Sequence, residues 1–194
     1  MWKNYHNLTK NKLPSFLLVR SLKYAKNKGR SLDLGCGAFR DSKLLLKYFE
    51  FVEAMDYTEF KPIPKGVIFT KSTFKDYNFN LYDLINSQFA LPFAGKYFPI
   101  VWKRICKSLI QDGIFVGQFF GDKDEWKEKK FKTKRGIIFH TQKQVEILLT
   151  DFEIIYFKEI KKRKRLISGE MKNWHYFNII AKLKKVPRNR VARH

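Results

Sequence analysis

The sequence predicts an α/β fold: a mostly parallel sheet of seven strands with helices on both faces, closed by an antiparallel β-hairpin at its C-terminal end. Three observations carry this. A short apolar strand, Ser31–Leu34, runs into Gly35-Cys36-Gly37, and a helix opens at Asp41-Ser42 and continues to Phe49. Nineteen residues past Gly37, a second apolar stretch ends in an acid, Asp56. The last two apolar stretches, Phe152–Phe157 and Trp174–Ala181, lie too close together for a crossover helix, so they must pair antiparallel.

The elements follow in order. Residues 1–12 carry Trp2, Tyr5 and His6 without a period, as a frayed end or a lid would. Pro14 suits the first turn of a helix through Leu22, with Phe16, Val19 and Leu22 on one face, and Asn27-Lys28-Gly29 stops it. After Asp56, a loop with Pro62 and Pro64 leads to a strand at Val67–Thr70. Tyr82–Ile85 opens another strand, which turns polar at Asn86, Ser87 and Gln88. Tyr97–Leu109 reads as a helix with Val101, Ile105 and Leu109 inward. Asp112-Gly113 turns into an interior strand, Ile114–Phe120, and residues 121–138 form a polar loop. Thr141 and Gln144 have the spacing of a capping box before a helix with Val145, Leu148 and Leu149 inward. The connector between the last two strands holds a basic run, Lys158–Arg165, and Gly169.

Length and composition bound the function. A chain of 194 residues is read as one domain, residues 14–183, after an N-terminal segment 1–13 and before a basic tail 184–194 expected to be disordered. At 44% hydrophobic and 16% aromatic it is too apolar for a disordered chain. No apolar run is long enough to cross a bilayer, and the start lacks the apolar core of a secretory signal. Cys36 and Cys106 have no metal-type spacing, so a reducing, cytoplasmic setting is expected and no metal. The net charge of +22 supports two readings: affinity for a polyanion, or the lysine-rich composition an AT-rich genome imposes on any protein.

A strand, a glycine turn and a helix start form a cradle for a nucleotide-bearing cofactor, because glycine lets the backbone approach a ligand closely. Asp56 stands where a doubly wound fold places a carboxylate for a ribose diol. Thr73 and Phe74, after the third strand, are where an adenine would be flanked, though a small loop with one buried Phe fits the spacing as well. Asn86, Ser87 and Gln88 fall at the carboxyl edge, where open α/β sheets bind ligands.

The order of these parts resembles a class I S-adenosylmethionine-dependent methyltransferase over roughly residues 14–183. The resemblance rests on Leu32-Asp33-Leu34-Gly35-Cys36-Gly37, on Asp56, on Tyr82-Asp83-Leu84 and on Asp112-Gly113-Ile114 in register. A dinucleotide-binding dehydrogenase would carry a third glycine where this chain has Arg40. More narrowly, Gln88–Phe93, Gly117–Gly121 with Asp124 and Trp126, Phe139-His140-Thr141 and Trp174-His175 are similar to small bacterial enzymes grouped with tellurite-resistance-type methyltransferases. The basic run and the arginine tail depart from that group. The resemblance implies a Rossmann-like sheet and S-adenosyl-L-methionine as cofactor. Asp33, Gly35 and Gly37 would hold its methionine portion, Asp56 the ribose, and Thr73-Phe74 the adenine. Asn86 and Gln88 would lie beside the methyl group, and Trp2 and Tyr5 would cover the cofactor.

Methyl transfer from a sulfonium needs an in-line acceptor and a dry site, and a base only if the acceptor must lose a proton. Topology offers His175 as that base, near the start of the last strand on the carboxyl edge, with Gln88 the other catalytic candidate and a structural imidazole the alternative for His175. A closed pocket lined by Phe93, Phe120 and Trp126 would take a small-molecule acceptor, the first expectation. The second is a nucleic-acid acceptor held by the basic connector, against which stands the absence of an Asn/Asp-Pro-Pro-aromatic signature near Asn86. No membrane partner is expected, and nothing in the sequence specifies an oligomer.

Overall fold

The computed structural model describes residues 2–128, 136–166 and 169–184, with side chains from His6 onward. Seven strands form one sheet: β1 Arg30–Leu34, β2 Phe51–Asp56, β3 Val67–Lys71, β4 Tyr82–Ser87, β5 Leu109–Phe120, β6 Phe152–Arg165 and β7 Met171–Leu183. Their order is β3-β2-β1-β4-β5-β7-β6, with β1 to β5 parallel and β7 antiparallel to both of its neighbours. The order reverses between β1 and β4, so the turns leaving these two strands diverge and open a crevice at the carboxyl edge.

Buried parallel strands need apolar residues on both faces. Leu32, Leu34, Leu84, Ile85, Ile114, Phe115 and Val116 are accordingly shut off from solvent. One face packs on α4 (Phe98–Ser108) and α6 (Gln142–Leu148), through Phe98, Val101, Trp102, Ile105 and Val145 against Phe115, Phe119 and Phe177. The other face is covered by α2 (Phe16–Ser21) and α3 (Arg40–Leu45), whose Leu17, Leu18 and Leu45 meet Val52, Leu84, Val116 and Ile180. Thr141 and Gln144 form the expected capping box at the start of α6. Glu53 is the buried charge of β2, and Tyr77, Tyr82, Asn80 and Arg30 all donate to it. Those bonds hold its pKa below the usual value although burial pushes it up.

Several expectations are corrected. Residues 2–9 form a helix, α1 (Trp2–Thr9). The buried side of α2 is Leu17, Leu18 and Ser21 with Leu22, while Phe16 and Val19 are 66% and 51% exposed. A 3₁₀ turn over Leu91–Tyr97 precedes α4, and Leu109 begins β5 instead of ending the helix. The polar loop after Phe120 contains a short helix, α5 (Glu125–Glu128), and its residues 129–135 lie outside the described ones. The basic run is no connector: it is strand, paired residue by residue with β7 as far as Arg165↔Met171. Of the tail, residues 185–194 also lie outside the described ones. No helix among the described residues is long and apolar enough to cross a membrane.

Candidate functional site

The turn after β1 is shaped by its two glycines. Gly35 and Gly37 have φ of +82° and +54°, the left-handed region that disfavours a Cβ. Gly35 N–H donates to Met55 O at 2.7 Å, tying the turn to the end of β2. Gly37 N–H donates to Asp56 Oδ2 at 3.0 Å, and Thr58 N–H to Asp56 Oδ1 at 2.8 Å. Each carboxylate oxygen thus keeps one lone pair for a further donor. The Asp56 side chain is set beside the glycine turn, as the spacing anticipated. A cleft of about 630 Å³ opens next to it, lined by Asn7, Tyr57, Thr58, Glu59, Phe60, Lys61 and Lys71. That volume is in the range of ligand sites.

Helix α1 reaches this turn. The His6 ring lies 3.3 Å from where a Cβ on Gly37 would stand, and it meets Phe60 edge-on. Burial pushes the His6 pKa down, and the Asp56 charge opposes that. His6 carries no motif; the one signal was its place among the aromatics of the first residues. Side chains of Trp2 and Tyr5 lie outside the described ones, while their backbone belongs to α1.

Behind the glycine turn lies a buried polar network. Asp33 is 2% exposed and accepts from Ser42 Oγ at 2.5 Å and Asn86 Nδ2 at 2.9 Å. Asn86 Nδ2 also approaches Asp41 Oδ2 at 3.4 Å, and Asn86 Oδ1 accepts from Gln88 Nε2 at 2.6 Å. Gln88 Oε1 accepts from Ser15 Oγ at 2.6 Å and from Gln118 Nε2 at 2.9 Å. Gln118 in turn donates to Asn178 Oδ1 and accepts from Phe89 N–H. Asp41 accepts from Ser15 N–H at 2.7 Å and is paired with Arg40. Burial pushes the Asp33 carboxyl up to about 7, with the Asp41 charge adding to the rise and the bonds from Ser42 and Asn86 opposing it. Asn86 and Gln88 were anticipated at this edge; Ser15, Asp41 and Gln118 were not. The Thr73 hydroxyl is engaged locally, donating to Asp76 Oδ2 at 2.6 Å, which leaves the backbone of this turn and Phe74 to meet a ligand. The Phe74 ring stands 3.7 Å from a Cβ built on Gly35.

Beside β4 and β5 the rings expected to line a pocket come together as a packed cluster, with Phe120 only 1% exposed. Phe93 meets Phe120 and Trp126 at centroid distances of 5.9 and 6.3 Å, and Phe120 meets Trp126 at 5.8 Å. Phe89, Phe139, Trp174 and Tyr176 join them, which sequence spacing did not reveal. An ion pair is buried in this wall. Lys172 Nζ lies 3.7 Å from the Trp174 ring centroid and 4.3 Å from that of Trp126, and pairs with Asp124 Oδ2 at 2.5 Å. Burial lowers its pKa, and Asp124 opposes the change.

His175 does not stand as the expected base. Trp174 and Tyr176 point into the ring cluster, so strand alternation turns His175 to the opposite face, where it is 2% exposed. Its Nδ1 accepts from Lys123 N–H at 2.9 Å, so Nε2 carries the proton and donates to Glu159 Oε1 at 2.8 Å. Both ring nitrogens are committed, and neither is left for an acceptor's proton. His140 is also buried, and burial alone lowers its pKa to about 4. Among the described residues no group of His, Cys, Asp and Glu could hold a metal ion.

No protein-family model and no curated protein sequence matches the chain. Solved structures do. TehB from Haemophilus influenzae superposes with a TM-score of 0.66 at 17% identity over 87% of this chain, which spans 61% of that protein's length. The N-methyltransferase NodS from Bradyrhizobium japonicum WM9, in complex with S-adenosyl-L-homocysteine, gives 0.64 at 12% over 87% of this chain and 84% of its own. The 1,6-didemethyltoxoflavin-N1-methyltransferase of Burkholderia thailandensis gives 0.61 at 17%, covering 87% and 77%. At these identities the likeness is one of fold: the chain has the Rossmann-like fold of class I S-adenosylmethionine-dependent methyltransferases.

Proposed function

We propose that the protein is an S-adenosylmethionine-dependent methyltransferase acting on a small-molecule acceptor. The observation that carries this is that the sheet order sets Gly35, Gly37 and Asp56 and the ring cluster of Phe93, Phe120 and Trp126 on the same carboxyl edge. The residues present fit the cofactor. Two glycines shape a tight turn that only residues free of a Cβ accommodate, an acid with spare lone pairs stands beside them, and a cleft continues past that acid. Two of the neighbours hold S-adenosylhomocysteine, and the Burkholderia enzyme also holds 1,6-didemethyltoxoflavin.

When bound, the cofactor supplies the activated methyl group. The chain's task is then to bind, orient and exclude water. Gly35 and Gly37 would receive the methionine portion, with Asp33 behind them as a buried negative or proton-bearing group. Asp56 would accept from the ribose, and the Tyr57–Lys61 cleft and Phe74 would take the adenine side. Trp2, Tyr5 and His6 of α1 would cover this half. Gln88, clamped between Ser15, Asn86 and Gln118, would border the methyl as a rigid polar wall, setting orientation without moving a proton. The rings favour a flat, largely apolar acceptor whose nucleophilic atom needs no protein base.

Isothermal calorimetry with S-adenosylmethionine tests the reading. The wild-type protein should bind, and Asp56→Ala should bind about 10- to 100-fold more weakly, as expected for removal of a charge-assisted hydrogen bond. A folded wild-type protein that takes up no cofactor would sink the proposal. Methyl transfer from labelled cofactor to a panel of planar amines, thiols and heterocycles then identifies the acceptor.

A further inference from the structure

The β6–β7 hairpin is longer than the sheet it closes. β5 pairs with β7 from Lys182 up to Tyr176, opposite Phe120, and β7 continues past that point to Met171. Residues 161–165 of β6 and 171–175 of β7 therefore form a two-stranded ribbon beyond the carboxyl edge, beside the ring cluster. Five consecutive residues on its outer strand are cations: Lys161, Lys162, Arg163, Lys164 and Arg165, all exposed. Glu159 neutralises Lys161, and Lys172 is consumed by Asp124 inside the wall. Among the described residues no ion pair neutralises Lys162, Arg163, Lys164 or Arg165.

Register decides which charges share the face of the ring cluster. Lys162 lies opposite Trp174, and Lys164 opposite Lys172, so these side chains share the face that carries Trp174, Tyr176, Phe120 and Trp126. Lys162 Nζ already sits 5.5 Å from the centroid of the Tyr176 ring. A strand spaces alternate residues by about 6.8 Å, so Lys162 and Lys164 make a short row of positive charge along one edge of an aromatic wall. Lysines also blunt edge strands against unwanted pairing. That role needs only one or two of them, whereas here all five positions of the outer strand, 161–165, are cationic, on both faces.

We propose that this ribbon is a docking surface for single-stranded nucleic acid, with Lys162 and Lys164 on the phosphates and the half-buried Trp174, at the outer end of the ring cluster, beside a base. Positive charge tracking a backbone next to rings that accept a base of any identity is the chemistry of single-strand binding. The wall shares Phe120 and Trp126 with the acceptor site proposed above, while Lys162, Arg163, Lys164 and Arg165 of the ribbon lie outside it and do not rest on that reading.

The test separates a local surface from the effect of a net charge of +22. Binding of a fluorescein-labelled oligouridylate is measured by anisotropy across a salt series. Three proteins are compared: the wild type, a ribbon variant with Lys162, Arg163, Lys164 and Arg165→Gln, and a control with the exposed Lys43, Lys47, Lys103 and Lys107→Gln. The latter two lose the same charge. The ribbon variant should bind at least about tenfold more weakly than the control. Its log–log salt slope should fall by about 1.5 to 3, at roughly 0.7 for each single-strand phosphate deprived of its cation. Circular dichroism and thermal melting confirm that both variants are folded. Equal losses in the two variants overturn the proposal, as does binding to phosphatidylserine-containing vesicles without binding to the RNA. Trp174→Leu adds a second arm, since removing a stacking ring should weaken binding without changing the salt slope.

Discussion

The two glycines of the cradle predict unequal outcomes for one substitution. A Cβ on Gly35 would stand 2.3 Å from Ala90 Cβ, with Ala90 Cα and Phe74 Cζ each at 3.7 Å. Carbon atoms in good contact are about 3.5–4.0 Å apart, and a methyl fixed to backbone cannot rotate away. Overpacking of this kind costs about 1–3 kcal/mol. The positive φ adds about 1–2 kcal/mol for an L side chain. Gly35→Ala should therefore lose about 2–5 kcal/mol. Gly37→Ala carries the backbone cost and little more, because its nearest neighbours are Cδ2 and Nε2 of the His6 ring at 3.3 Å, which needs to give by only a few tenths of an ångström. It should lose about 1–2 kcal/mol. Its new methyl would instead press on the His6 ring of α1, the residue proposed to cover the cofactor, so cofactor affinity should fall about 5- to 30-fold, the equivalent of one hydrogen bond and the packing around it. Urea denaturation monitored by tryptophan fluorescence gives the stabilities, and calorimetry the affinities. Ala90→Gly in the Gly35→Ala background should recover the packing part of the loss. Equal destabilisation by the two single variants, or no recovery on Ala90→Gly, refutes the reasoning.

Two further outcomes follow from buried charge. Asp33 has its carboxyl raised from 3.8 to about 7 in the folded protein. Between those values the native state holds a proton that the unfolded chain has released, so stability falls as pH rises from about 4 to 7 and then levels off. The full effect is on the order of 4 kcal/mol. Asp33→Asn should keep the bond to Asn86, with the Ser42 hydroxyl turning to accept from the new amide, and should flatten that limb of the curve; an unchanged limb in urea titrations from pH 4.5 to 8 would show that another group is responsible. Lys172→Met strips Asp124 of its cation in a buried site and should cost about 3–5 kcal/mol. For a chain of this size that lowers Tm by roughly 6–20 °C, and a change under 2 °C would mean that the pair is already solvated.

The seven strands, the glycine turn, the acid at Asp56, the capping box at Thr141 and the closing hairpin were legible from the sequence alone. Each is written in residues close together, as a period, a turn residue or a cap, and local backbone chemistry decides them. What the tertiary structure decided is which of these parts face one another. Phe16 and Val19 have a helical spacing, yet Leu17, Leu18 and Ser21 are buried, because the apolar surface of β4, β5 and β7 selects the face of α2. The basic run contains no β-branched residue except Ile160, and no local signal marks it as strand; its partner, residues 171–178 of β7, supplies the hydrogen bonds. Ser15 and Gln88 are bonded across 73 positions, and Gln118 and Asn178 across 60. Nothing in spacing encodes such pairs, since they exist only once the sheet order brings β4, β5 and β7 together. His175 makes the same point from the other side. Its strand and its edge were foreseeable, while the face it takes, with Glu159 on one nitrogen and Lys123 on the other, was set by one residue of register.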